Sequence, residues 1–173
     1  YTTIDNPELY FQTVLWTGNA TDRSITLGGD KDMQPDYVWI KNRGSSESHR
    51  NWDAVRGATK QLSINNTNGE STASEGLTSF DSDGFTIGTD STVNENTKAI
   101  VAWCWKETAT AGFDIVTYTG SGSAQNVSHS LSAVPHVMIV KRRDADGNYW
   151  VIYHHKNTSA PETDYLRLGD NST

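Results

Sequence analysis

Pro35-Asp-Tyr-Val-Trp-Ile-Lys-Asn-Arg43 occurs twice in this chain, the second time as Pro135-His-Val-Met-Ile-Val-Lys-Arg-Arg143. Each copy is a proline, an apolar run and then Lys-x-Arg. Each is preceded by a matching stretch, Phe11-Gln-Thr-Val-Leu-Trp-Thr-Gly18 and Phe113-Asp-Ile-Val-Thr-Tyr-Thr-Gly120, and each is followed by an aromatic strand, holding Trp52 or Trp150. A period shared by three consecutive segments marks a structural repeat. On an extended Tyr37–Asn42, Tyr37, Trp39 and Lys41 point one way and Val38, Ile40 and Asn42 the other. Both faces are apolar, so this is expected to be a central strand covered on both sides, or one with a face against a partner.

The rest of the chain follows the same plan. Phe11–Thr17, Ser24–Leu27, Arg50–Arg56 and Lys60–Asn65 read as short strands. Leu77–Phe80 and Phe85–Gly88 read as a hairpin about Asp83-Gly84. Ala99-Ile-Val-Ala-Trp-Cys-Trp105 is apolar on both faces and is expected to be the most buried strand. In the second copy, strands are expected at Phe113–Tyr118, Val127–Leu131, His136–Lys141, Tyr149–His155 and Tyr165–Leu168. The stretch from Asn65 to Gly76 has no apolar pattern and is expected to be an exposed loop; Gly169–Thr173 repeats its start.

The expected fold class is therefore all-β, an antiparallel β-sandwich. The domain plan is a lead-in segment 1–10, a first sandwich repeat 11–106, an Ala/Thr-rich linker 107–112 and a second repeat 113–173, incomplete at its C-terminus. The second copy stops before the hairpin and the central strand that the first copy still has to come. Residues beyond Thr173, or another chain, are expected to supply them, because a sheet without them keeps open edges. With no signal peptide and no initiator Met, the chain is expected to begin inside a longer polypeptide.

Composition narrows the function classes. The 173 residues carry 21 acidic and 14 basic side chains, a net charge of −7. That field disfavours a nucleic-acid backbone. The basic clusters Lys41/Arg43 and Lys141/Arg142/Arg143 are expected to be solvated strand ends. The mean hydropathy is −0.62, and no apolar stretch reaches the roughly 18 residues of a membrane-spanning helix. The single cysteine, Cys104, excludes an internal disulfide and is expected to be a small buried hydrophobe.

No catalytic residue is expected. The nearest approach to the Glu-x-Asp-x-x-Glu pattern of sandwich-fold glycoside hydrolases is Glu162-Thr-Asp164, which lacks the second Glu needed to flank a glycosidic bond. No Gly-x-Ser-x-Gly turn is present. His49, His129, His136, His154 and His155 lack metalloprotease spacing and are expected to be structural. Asp81/Asp83 and Asp144/Asp146 have the Asp-x-Asp-Gly form of a calcium loop without its downstream Glu. No cofactor is expected, and Ca²⁺ is the one ion these stretches would suit. Most of the six tryptophans lie in periodic strands and are expected in cores. Trp52, with Asn51, Asp53 and His49 near a loop, is the expected ligand-binding group, where an indole would stack on a sugar ring.

Gln34-Pro-Asp-Tyr-Val-Trp-Ile-Lys-Asn-Arg43, Val55-Arg-Gly-Ala-Thr59, Leu77-Thr-Ser-Phe-Asp-Ser-Asp-Gly-Phe85, Val101-Ala-Trp-Cys-Trp-Lys106 and Val140-Lys-Arg-Arg-Asp144 resemble a repeat module of marine bacteriophage virion proteins, large tail fibres or appendages. The resemblance runs over nearly the whole chain and implies a concanavalin A-like or LamG-like jelly-roll. It implies a non-enzymatic structural and adhesion module, located on the virion or extracellularly. The expected partners are other virion subunits, as a homo-oligomer for which a trimer is typical of fibres, and a host-surface glycan or protein, with no nucleic acid and no membrane insertion. The alternative is a carbohydrate-binding module of a secreted multidomain protein; a third reading is a degraded hydrolase.

Overall fold

The computed structural model describes residues 4–169. Twelve strands carry the fold: β1 (Phe11–Thr17), β2 (Arg23–Ile25), β3 (Tyr37–Asn42), β4 (Arg50–Asp53), β5 (Lys60–Ser63), β6 (Ser71–Thr72), β7 (Leu77–Asp81), β8 (Gly84–Ile87), β9 (Ala99–Trp105), β10 (Val137–Val140), β11 (Trp150–His154) and β12 (Leu166–Leu168). One helical turn, α1 (Ser91–Asn94), and a 3-10 turn at Pro7–Leu9 complete the described residues. The chain is an all-β, antiparallel sandwich.

A six-stranded sheet runs in the order β1-β9-β3-β4-β5-β6, and a three-stranded sheet β2-β8-β7 covers it. The strand alternation decides which side chains meet between them. Val38, Ile40, Trp52, Ile100, Ala102 and Cys104 from the large sheet pack on Ile25, Leu27, Leu77, Phe85 and Ile87. Each such fully buried aliphatic or Phe side chain stabilises the fold by about 1.5–3 kcal/mol. Burial pushes the Cys104 thiol up to about 12, so it is an inert member of this core.

β3 lies between β9 and β4, and its Val38, Ile40 and Asn42 are buried. Buried asparagines close one end of the sandwich. Asn94 donates from Nδ2 to the carbonyls of Thr21 and Gly88, at 2.7 and 2.8 Å. Asn42 donates to the Ser91 carbonyl and to Glu95 Oε2. The β7–β8 turn is Ser82-Asp83 rather than Asp83-Gly84, since Asp81 pairs with Gly84. Gly84 is required there: its φ is +103°, and a Cβ would lie 2.0 Å from the Ile25 carbonyl oxygen.

The second copy forms a separate three-stranded sheet, β10-β11-β12. Its register reproduces the first copy's. Val38 pairs with Trp52, and Met138, one hundred positions on, pairs with Tyr153. Asn51 pairs with Leu62, and Ile152 pairs with Leu166. Tyr153, not Trp150, therefore occupies the place of Trp52. Trp150 takes the place of His49, because the connection between strands is one residue longer in the second copy. With a side-chain period of two, one residue moves the indole to the opposite face of the sheet.

Two expected strands are absent. Phe113–Tyr118 and Val127–Leu131 contain no strand. Their first-copy counterparts explain why. Among the described residues β1 has β9 as its sole sheet neighbour, and β2 has only β8. The described part of the second copy has no counterpart of β9 or β8, so these segments have no ladder to join. The expected correspondence of Gly169–Thr173 with the Asn65 loop lies, from residue 170 on, outside the described residues.

Candidate interaction surface

The face of the six-stranded sheet turned away from the first core carries the odd-numbered residues of β1, β3 and β9. Phe11 lies tilted against Trp105 with ring centroids 4.9 Å apart, and Trp105 meets Tyr37 at 5.5 Å. Phe113, the first residue of the second copy, closes on Tyr37 at 6.0 Å. A parallel row places Trp39 against Trp103 at 5.4 Å and His49 at 5.7 Å. Phe11 is exposed and the other rings are half-buried, and Leu15 beside them is 59% exposed. The indole N–H of Trp39 donates to His49 Nδ1 at 3.0 Å. Burial and the Lys41 ammonium lower the His49 pKa, which suits an imidazole that accepts this bond in its neutral form. Burial pushes the Tyr37 phenol up to about 12, against the bond it receives from Asn51 Nδ2.

The expected group Trp52, Asn51, Asp53 and His49 does not converge. Trp52 faces the core and is 0% exposed. Asn51 is equally buried and bonds Tyr37. Asp53 is held by Arg56 at 2.5 Å. His49, Asn51 and Asp53 lie on the aromatic side of the sheet, Asn51 opposite Trp39 and Asp53 opposite Tyr37, while Trp52 points to the core. Adjacent positions on a strand point to opposite sides, so Asn51 and Trp52 cannot present one surface. The tryptophans that do share a surface are Trp39, Trp103 and Trp105, at alternate strand positions.

The lysines of the repeated stretch are not solvated ends. Lys41 Nζ donates to the carbonyls of Asn42, Ser45 and Glu47, at 2.6, 3.1 and 2.7 Å, pinning its own β3–β4 loop. Lys141 Nζ donates likewise to the Asn148 carbonyl of its loop, and also to Thr67 of the first copy at 3.2 Å. The shared Lys thus satisfies loop carbonyls that would otherwise be left half-buried and unpaired.

The Asn65–Gly76 stretch, expected to be an exposed loop, is the junction between the copies. The Trp150 indole packs with Leu62, Ile64, Trp39 and Leu168, and its N–H donates to the Ser63 carbonyl at 2.7 Å. The Glu70 backbone N–H donates to the Arg143 carbonyl at 2.7 Å. Gly69 N–H donates to Asp146 Oδ1 at 2.7 Å. Gly69 is required by the close approach, since a Cβ would lie 2.8 Å from the Arg143 carbonyl oxygen.

Glu70 accepts from both Arg143 at 2.9 Å and Arg56 at 3.2 Å, one guanidinium from each copy. Burial alone would raise this carboxyl, but the two guanidiniums outweigh it and hold the pKa below its ordinary 4.5. A depressed carboxyl pKa contributes stability that is complete above the unfolded value and is lost as pH falls through the folded one. The junction is therefore expected to loosen below pH 4.5. Amide exchange at residues 67–70 and 141–148 should accelerate there before the first core opens, and Glu70→Gln should flatten that pH dependence.

The calcium candidates are engaged by protein donors. Asp81 accepts from Ser79 and Thr86 hydroxyls, Asp83 from the Met33 N–H, Asp146 from Gly69 and Asp144 from exposed Arg142. Among the described residues no group of three or more His, Cys, Asp or Glu is placed to hold a metal. His136 and His155 stack at 4.1 Å across the β10–β11 end. Glu162 and Asp164 lie in the β11–β12 connection, where Asp164 accepts from the Thr158 hydroxyl.

One acidic pair was not legible in the sequence. Glu107 Oε1 and Asp114 Oδ1 both accept from the Ile115 N–H, at 3.4 and 3.0 Å; burial and Asp114 raise the Glu107 pKa, while the Ser130 N–H and Glu107 lower that of Asp114. Among the described residues no helix is long and apolar enough to cross a membrane.

Residues 6–173 match the model of a family described as a domain of unknown function, DUF7483. No curated protein and no solved structure matches the chain.

Proposed function

We propose that this chain, which belongs to the DUF7483 family, is a non-enzymatic structural and adhesion repeat of an extracellular fibre or appendage, a virion tail fibre in the reading favoured by its sequence resemblance. The observation that carries this is the junction. Consecutive copies meet through a buried indole, backbone hydrogen bonds and a carboxylate shared by two guanidiniums, not through a free linker. A repeat fixed to its neighbour in this way transmits force and holds spacing, as fibre segments must. Its partners are further subunits of the same particle and a host-surface glycan or protein.

The aromatic sheet face favours the second reading, a carbohydrate-binding module of a secreted protein. Trp39, Trp103 and Trp105 offer ring faces with His49 and Lys41 nearby, and sugar C–H faces stack on such rings. Two measurements separate the readings. Antibody to this chain should decorate elongated appendages of intact particles by electron microscopy. A glycan array with the chain and with Trp103→Ala should show whether the face grips sugar. Labelling of particles supports the first reading whether or not sugar binds. An absence of labelled particles together with Trp103-dependent sugar binding replaces it with the second.

A further inference from the structure

The chain has one Asn-Gly dipeptide, Asn68-Gly69, and the fold places it inside the junction between the copies. The second copy anchors the backbone on either side of Asn68. The Thr67 carbonyl accepts from the Asn148 backbone N–H at 3.3 Å and from Lys141 Nζ at 3.2 Å. On the other side, Gly69 N–H donates to Asp146 Oδ1 and Glu70 N–H to the Arg143 carbonyl, both at 2.7 Å. Asn68 itself is exposed, so water reaches it. A Cβ on Gly69 would lie 2.8 Å from the Arg143 carbonyl oxygen. The residue that must be glycine for docking thus also leaves its own nitrogen unshielded by a side chain.

An asparagine followed by glycine carries its own nucleophile. The Gly69 backbone nitrogen, once its proton has gone to hydroxide, attacks the side-chain carbonyl carbon Cγ of Asn68. A bond forms between that nitrogen and Cγ, the Cγ–Nδ2 bond breaks, and Nδ2 leaves as ammonia with a proton from water. The five-membered imide then takes up one water at either carbonyl and opens to aspartate or isoaspartate at position 68. Nothing is oxidised or reduced. The attack needs a deprotonated nitrogen, brought to within about 3–3.5 Å of the carbon. The junction opposes both conditions. The Asp146 carboxylate holds the Gly69 proton, and its charge disfavours a nitrogen anion beside it. The anchors at Thr67, Gly69 and Glu70 resist the backbone rotation that would carry the nitrogen to Cγ.

We propose that Asn68 is a self-deamidation site which the docked junction holds inert, and that conversion of an undocked chain prevents it from docking again. Either product places a new carboxylate one residue from the Gly69 N–H that must meet the Asp146 carboxylate, so like charges oppose the return. Isoaspartate also adds a carbon to the main chain. The Gly69 and Glu70 N–H groups then no longer stand at the spacing that Asp146 and the Arg143 carbonyl require. With Gly69 already against Arg143, the junction has no slack to absorb the longer backbone. The inference rests on the docked junction, which also carries the proposed function, and adds to it an irreversible record of separation.

The test incubates the full chain at mildly alkaline pH and follows position 68 by peptide mass spectrometry, with the urea-unfolded chain setting the upper limit of the rate. Asp146→Ala and Trp150→Ala should each speed conversion at least about tenfold, the worth of one hydrogen bond to a charged group. A folded wild-type chain that converts as fast as the unfolded one overturns the proposal, and so does either variant that converts no faster than wild type. Converted chain, separated by its added charge on anion exchange, should be cut by protease within 107–169. Fresh wild type and incubated Asn68→Ala should resist. Converted chain that resists equally overturns the block on docking. Fresh wild type cut within 107–169 would remove the junction itself, and the proposed function with it, whereas fast conversion in a resistant chain removes this proposal alone.

Discussion

Trp52→Ala is expected to cost about 3–5 kcal/mol of stability. Trp52 is fully buried and forms part of the first core, opposite Val38 on the neighbouring strand. Its ring also sits 2.8 Å from where a Cβ on Gly76 would be, so the chain is closely fitted around it and a cavity would not collapse easily. Domains are stable by only about 5–15 kcal/mol in total, so the loss removes a large fraction of the folded population. Urea unfolding followed by far-ultraviolet dichroism should show the midpoint fall. The indole N–H has no hydrogen-bond partner, so Trp52→Phe removes an unsatisfied donor and should cost much less than Trp52→Ala. An unchanged midpoint for Trp52→Ala with loss of a binding activity would return this residue to a ligand site.

Trp150→Ala is expected to release the second sheet from the first while the first sandwich stays folded. The indole is 8% exposed and fills the space between Leu62, Ile64, Trp39 and Leu168. Removing such a ring costs about 3–5 kcal/mol, here with the added loss of the bond to the Ser63 carbonyl. Three short strands with exposed apolar residues have little stability of their own. Limited proteolysis should then cut within 107–169 and spare 11–105, whose thermal transition should shift little. Cutting throughout the chain would mean that the two copies share one cooperative core. The Glu70 pH dependence probes the same junction through its charges, so the two perturbations should be non-additive.

The geometry sorts the aromatic residues by face, and this bears on where a partner can bind. The rings in the first core hold two sheets together and are closed to any ligand. The outer rings at Tyr37, Trp39, Trp103 and Trp105 are half-buried and are lined at one end by Phe113 from the second copy. A partner of the outer face would therefore touch both copies, and release of the second sheet should weaken it as well.

The strand character of the apolar runs between Phe11 and Trp105, and the central place of Tyr37–Asn42 in its sheet, were readable from residues alone. Alternation with a period of two and the return of one motif after one hundred positions are local properties that survive without coordinates. The inert buried character of Cys104 followed the same way. Three things were decided only by tertiary structure. A one-residue difference in a loop sent Trp150 to the outer face while Trp52 faces inward, and no local pattern marks that change of register. Phe113–Tyr118 has strand-like residues but forms no strand, since a ladder needs a neighbour far along the chain. The polar Asn65–Gly76 stretch became a junction because its backbone donors and acceptors, invisible to hydropathy, meet those of Arg143, Asp146 and Lys141. Side-chain pattern fixes what a segment is able to become; the partner across the sheet determines whether it does.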